Sequence, residues 1–181
     1  MVLMDQPEIP ERAFEHNYML QFVYAPNTQT VSAAAFFQCQ HLSAFYCKRL
    51  EIVENLAFYF CAALSNIDLS GVTEIGIASF YFCVSLTSLN LLRLQRPLPS
   101  SCFGFCFGLI QVAARNSDGW DDNVFAGCEH VQIYDGSEKV RYQEVFTAGF
   151  RERRKMIKLV KNAKMRFKFL IKTKELQNNF E

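Results

Sequence analysis

A phenylalanine returns at a nearly fixed interval through most of this chain: Phe14, Phe36, Phe58, Phe80, Phe103 and Phe125 stand 22, 22, 22, 23 and 22 residues apart. Three residues after each comes Asn17, Cys39, Cys61, Cys83, Cys106 or Cys128, and three further on Leu20, Leu42, Leu64, Leu86, Leu109 or Val131. The next column reads Val23, Phe45, Ile67, Leu89, Val112 and Tyr134, and the fifth, ahead of the phenylalanine, reads Ile9, Val31, Val53, Ile75, Leu98 and Trp120. Five columns in one register define a repeat. A unit this short cannot bury its own apolar face, so it must stack on copies of itself and share one continuous core with them.

Within each unit the pattern L-x-x-L-x-L, as in Leu64, Ile67 and Leu69 or Leu86, Leu89 and Leu91, suits a short strand whose alternate side chains face opposite ways. Stacked in parallel, these strands form a ladder on one side. The remainder of the unit, from about Val72 to Cys83, returns along the other side as a turn or a short helical segment. With Ile67 and Leu69 inward, the alternation turns Asn66, Asp68 and Ser70 outward, and the repeat extends that row to Phe22, Tyr24, Ala44, Tyr46, Ser88, Asn90, Gln111, Ala113 and Arg115.

The phrase A-F-x-x-C-x-x-L-x-x-I, seen from Ala35-Phe36 to Phe45 and from Ala57-Phe58 to Ile67, resembles the BspA-type, or Treponema-type, leucine-rich repeat. The resemblance covers Ile9 to Gly136. It departs from the pattern at Asn17, which stands for Cys, and at Ser79, Cys102 and Val124, which stand for the small Ala. It implies a curved solenoid that binds proteins or serves in adhesion, often on the surface of host-associated bacteria and protists. The expected architecture is an α/β repeat solenoid: a leucine-rich repeat with short parallel strands on one face and about six units of 22–23 residues, followed by a basic C-terminal helix.

Charge divides the chain where the repeats stop. Residues 1–140 hold 7 Lys and Arg against 14 Asp and Glu, a net of −7, while residues 141–181 hold 12 against 4, a net of +8. The expected organisation is a short segment over 1–8, the solenoid over 9–136, and a basic amphipathic helix or cap over 137–181. In that last part Met156, Leu159, Val160, Ala163, Phe167, Leu170 and Ile171 recur at helical spacing. Its basic residues include Arg153, Arg154, Lys158, Lys161, Lys168 and Lys172, of which the lysines fall opposite the apolar stripe. Three roles suit such a helix: covering the end of the solenoid, meeting an anionic membrane surface or a helix-accepting partner, or contacting nucleic acid, which is disfavoured.

The 7 cysteines read as core. Five of them share one repeat column, free Cys packs as a small hydrophobe, and an odd total does not suit a closed disulfide framework. His41 and His130 share another column but stand four strand spacings apart, about 20 Å, too far to share one metal ion. Arg115 to Asn123, reading RNSDGWDDN, has the composition of a turn and lacks the alternation and terminal Glu of a calcium loop. No phosphate-cradling glycine loop, H-E-x-x-H or G-x-S-x-G occurs. The sequence therefore predicts no catalysis, no cofactor and no metal.

The prediction is an interaction scaffold that meets a protein partner of unspecified identity through its strand face, at Phe22, Tyr24, Tyr46, Asn66, Asp68, Asn90 and Arg115. The alternative is a peripheral membrane or nucleic-acid associated protein recruited by its basic tail. Free cysteines and an acidic N-terminus without signal-peptide character favour the cytoplasm, whereas the family resemblance favours the cell surface.

Overall fold

The structure, a computed structural model, describes residues 1–115 and 117–135. The strands are β1 (Val2–Leu3), β2 (Glu8–Ile9), β3 (Phe22–Tyr24), β4 (Thr30–Val31), β5 (Ala44–Tyr46), β6 (Ile52–Val53), β7 (Asn66–Ile67), β8 (Glu74–Ile75), β9 (Ser88–Asn90), β10 (Gln111–Ala113) and β11 (Gln132–Tyr134). All pairings are parallel. The described residues contain no helix. They form a parallel β-solenoid of about six turns, and the expected C-terminal helix lies outside them.

Each of the first units contributes two strands rather than the single one expected. The predicted ladder is the sheet β1-β3-β5-β7, in which Val23 pairs with Phe45 and Phe45 with Ile67. A second sheet, β2-β4-β6-β8, runs through the column ahead of each phenylalanine and pairs Ile9 with Val31, Val31 with Val53 and Val53 with Ile75. Two-residue strands are too short to show an alternation, so only the stacking of neighbours reveals them. The next unit has Pro97 and Pro99 around Leu98 at that column. Proline carries no N–H for a ladder, and β8 ends the sheet.

The strand face also divides. Among the described residues β7 and β9 do not pair, and β9, β10 and β11 make a separate three-stranded sheet. There Val112 pairs with Ile133, not with Tyr134. The last unit is thus one residue shorter than the column spacing predicts. Because side chains alternate, that slip exchanges faces: Ile133 takes the inward register, although on this terminal strand it stays 44% exposed, and Tyr134 takes the register of Ala113.

The third side is built from turns. Alternate N–H groups reach across to the next unit, as in Phe36 N to Ala57 O (2.8 Å), Gln38 N to Tyr59 O (2.7 Å) and Phe60 N to Tyr81 O (2.8 Å). Those between them close on the same unit, as in Phe37 N to Ala34 O (3.0 Å) and Cys39 N to Phe36 O (3.1 Å). Two residues per turn adopt left-handed backbone, among them Phe60 (φ 57°), Phe82 (φ 61°) and Phe105 (φ 55°). This costs roughly 1–2 kcal/mol for a residue with a side chain. The cross-unit hydrogen bonds hold it in place, and the last unit relieves it with Gly127 (φ 75°).

The core is one continuous cluster running from Ile9 to Val124. At its centre the phenylalanine column stacks ring on ring, with centroids 5.2 Å apart from Phe14 through Phe80, then 5.3 and 5.9 Å to Phe103 and Phe125. Beside it runs the cysteine column. Each thiol donates to the carbonyl of the phenylalanine in the preceding unit: Cys39 to Phe14 (3.0 Å), then Cys61 to Phe36, Cys83 to Phe58, Cys106 to Phe80 and Cys128 to Phe103, each at 3.2 Å. Burial pushes these thiols up from their ordinary range, Cys39 to about 11 and Cys106 to about 12. All 7 cysteines are free, and all but Cys128 are buried.

Candidate functional site

The strand face is assembled from residues that the stacking leaves unconstrained. On β3 and β5, Val23 and Phe45 enter the core, so Phe22, Tyr24 and Tyr46 take the other side. They are half-buried rather than fully exposed. Tyr24 and Tyr46 lie parallel with centroids 4.9 Å apart, and each covers part of the other. Burial raises the Tyr24 hydroxyl above its ordinary range, helped by Tyr46 and by Asp5. Ala44, expected in the outward row, is buried at 2% exposure: its methyl is too small to emerge between its neighbours.

Farther along, the face becomes polar. Asn66, Asp68 and Arg115 are exposed and Asn90 half-buried. Two of these side chains shape the turn that follows their strand. Asp68 accepts the Ser70 N–H at 2.9 Å, and Asn90 accepts the Leu92 N–H at 3.2 Å. These Asx-type bonds turn the chain sharply at the rim. The structure brings Asp68, Asn90 and Arg115 together on one open groove of ≈ 450 Å³. Phe22, Tyr24, Tyr46 and Asn66 do not line that groove.

The groove has a plain origin in the repeat. Lys48, Ser70, Leu92 and Arg115 occupy one column, and Arg49, Gly71 and Arg93 the next. Where flanking units carry long side chains, the middle unit carries Ser70 and Gly71, and the surface is left hollow. A side chain at Gly71 would approach the Leu50 carbonyl at 3.0 Å. Lys48 and Arg93 therefore join Arg115 around the hollow. The sequence analysis did not single out either residue, although continuing the outward row two positions past the strand would have found Lys48; Arg93 lies one position farther, in the next column.

A second surface was also not foreseen. On the turn side Phe37, Tyr59 and Tyr81 stack in a track with centroids 4.9 and 5.1 Å apart, and Phe60 stacks on Phe82 at 4.6 Å. These rings occupy the two columns after the buried phenylalanine, so the same spacing contains their signal. Phe107, at 58% exposure, closes edge-on against Phe82 and Phe105 at the end of the patch. Among the described residues no three His, Cys, Asp or Glu side chains gather to hold a metal ion, and no helix is long and apolar enough to cross a membrane. In the segment expected to be a turn, Asp121 accepts the Asn123 N–H at 2.8 Å. Arg153, Arg154, Lys158, Lys161, Lys168 and Lys172 lie outside the described residues.

Comparison with known proteins agrees with the repeat. The family model of the BspA type leucine rich repeat region matches residues 7–132 in 6 copies. No curated protein and no solved structure matches the chain.

Proposed function

Because the chain belongs to the BspA-type leucine-rich repeat family, whose members generally serve in protein interaction or adhesion, we propose that it is a non-catalytic scaffold that meets a protein partner through its strand face. One observation carries this reading. The phenylalanine column repeats in all six units and the other core columns stay apolar apart from Asn17, whereas the outward strand positions change from Phe22 and Tyr24 to Asn66 and Asp68, then to Ser88 and Asn90. Stacking dictates the first set and leaves the second open to recognition. The aromatic end supplies the residue type that most often dominates interface energetics, and the polar end supplies directional contacts.

The test is a selection of displayed random peptides against the full chain, followed by mapping of the winners. Tyr46→Ser and Arg115→Ala are expected to weaken the selected binders about tenfold or more in sum, while Ile77→Ser and Phe107→Ser, on the turn side, leave them unchanged. Binders lost only through the turn-side substitutions would overturn the reading.

A second reading rests on the basic composition of residues 137–181, whose lysines and arginines suit an anionic membrane surface. Co-sedimentation with phosphatidylserine vesicles at low salt, compared between the full chain and a chain ending at Gly136, decides it. Recruitment by the tail predicts that only the full chain pellets and that added salt releases it. Nucleic acid remains disfavoured as a partner.

A further inference from the structure

The groove on the strand face gathers basic side chains on an otherwise acidic surface. Six Lys and Arg fall within residues 1–135, and three of them, Lys48, Arg93 and Arg115, line this one groove. The remaining cations include Arg96, paired with Glu74 at 2.7 Å, and Arg12, near Glu11 and Glu15 at 3.6 and 3.9 Å. Among the described residues Lys48, Arg93 and Arg115 have no carboxylate within ion-pair distance. Asp68 is the one acidic residue in the lining, and its carboxylate already receives the Ser70 N–H.

Resting on the strand-face reading, we propose that this groove seats an extended acidic segment of the partner protein, with two carboxylate side chains four residues apart. The spacing follows from the repeat. Lys48 and Arg115 stand in the same column three units apart, about 14 Å along the stack at a strand separation near 4.8 Å. An extended chain rises about 3.3 Å per residue, so four residues cover about that distance, and side chains at i and i+4 point the same way. The segment therefore runs along the solenoid, across the strands. Its first and last carboxylates meet Lys48 and Arg115, and Arg93 flanks the latter. Ser70 and Gly71 leave room for its backbone. Asp68, in the first of the two units between them, opposes a third carboxylate placed between the outer two.

This last feature separates a shaped site from diffuse attraction, including attraction to the basic residues beyond 136. Fluorescence anisotropy of the full chain would be measured with labelled, end-blocked Ser/Thr peptides carrying two Glu at i,i+4, at i,i+2 or at i,i+8, with a Gln pair, or with three Glu at i, i+2 and i+4. The i,i+4 pair is expected to bind tightest, and the third Glu is expected to add nothing. Lys48→Ala and Arg115→Ala each weaken it about threefold and together about tenfold, in keeping with exposed ion pairs. Arg49→Ala, outside the groove, changes nothing. All three side chains are exposed, so these variants are expected to fold normally.

Affinity that simply rises with peptide charge, or that ignores Lys48 and Arg115, would overturn the proposal. Binding lost through Tyr46→Ser but not through the groove variants would overturn it while leaving the strand-face reading intact. Binding indifferent to both sets would remove the two together. Phosphatidylserine vesicles and oligo-dT serve as parallel probes, and groove-dependent binding of either one in place of the peptide counts against an acidic protein segment.

Discussion

The phenylalanine column and the strand-face column have the same number of turns to fill, yet one barely changes along the chain and the other changes at nearly every unit. Phe36, Phe58, Phe80 and Phe103 are each fully buried, and each ring is packed by copies of itself above and below. Substituting one disturbs two contacts of the same kind, so the column is fixed by self-complementarity. Tyr24 and Tyr46 stack in a similar way, but the next positions are Asp68 and Asn90, and the stack stops. Repetition is what a solenoid needs inside. Variation outside is what a binding surface needs, and the alternation of a strand keeps the two apart.

The comparison can be tested hardest through the thiols that line the buried column. Burial holds them protonated, so their folded values lie above the 9.0 of an unfolded thiol, at about 11 for Cys39 and about 12 for Cys106. Unfolding releases those protons more readily. The stability they contribute is therefore complete below about pH 9 and is lost as pH rises toward the folded values, by roughly 1 kcal/mol per pH unit for each thiol. Urea midpoints should be level from pH 7 to 8.5 and fall steeply above 9. A profile that stayed level to pH 11 would mean that the column is not buried in solution.

A smaller effect comes from removing one ring. Phe58→Ala, at the centre of the stack, is expected to cost about 3–5 kcal/mol in urea unfolding. Phe125→Ala should cost clearly less, because that ring is only half-buried and sits 5.9 Å from its neighbour. Equal losses would show that the stack does not act as a column with a tight middle and a loose end.

Smallest is the effect on the strand face. Tyr46→Ser gives up one stacked contact and part of a half-buried ring, and about 1 kcal/mol of stability is expected to go with it. A loss as large as that of Phe58→Ala would place Tyr46 among the structural residues and weaken its candidacy for binding.

Much of this was legible before any coordinates. Phe58, Cys61, Leu64 and their counterparts advertise the solenoid because each must match its own copy one unit away, and matching leaves a period in the sequence. The cysteine row, the free thiols and the alternation of the strand face follow from the same columns. The second sheet was less visible. A pair such as Glu74–Ile75 is a strand only because neighbouring units lend it hydrogen-bond partners, and no two-residue pattern records that.

What the sequence determined by itself is the repeat, and with it most of the side chains that face the core, Ala44 and Tyr134 being exceptions. Only the tertiary structure decided where the ladder breaks between β7 and β9, that the last strand slips so that Ile133 takes the inward register, and that Ser70 and Gly71 open a hollow ringed by Lys48, Arg93 and Arg115. The reason lies in how each feature is encoded. A core position is specified by what it repeats, which can be read along one chain. A groove is specified by a contrast between neighbouring turns, and that contrast acquires a shape only once the turns are stacked.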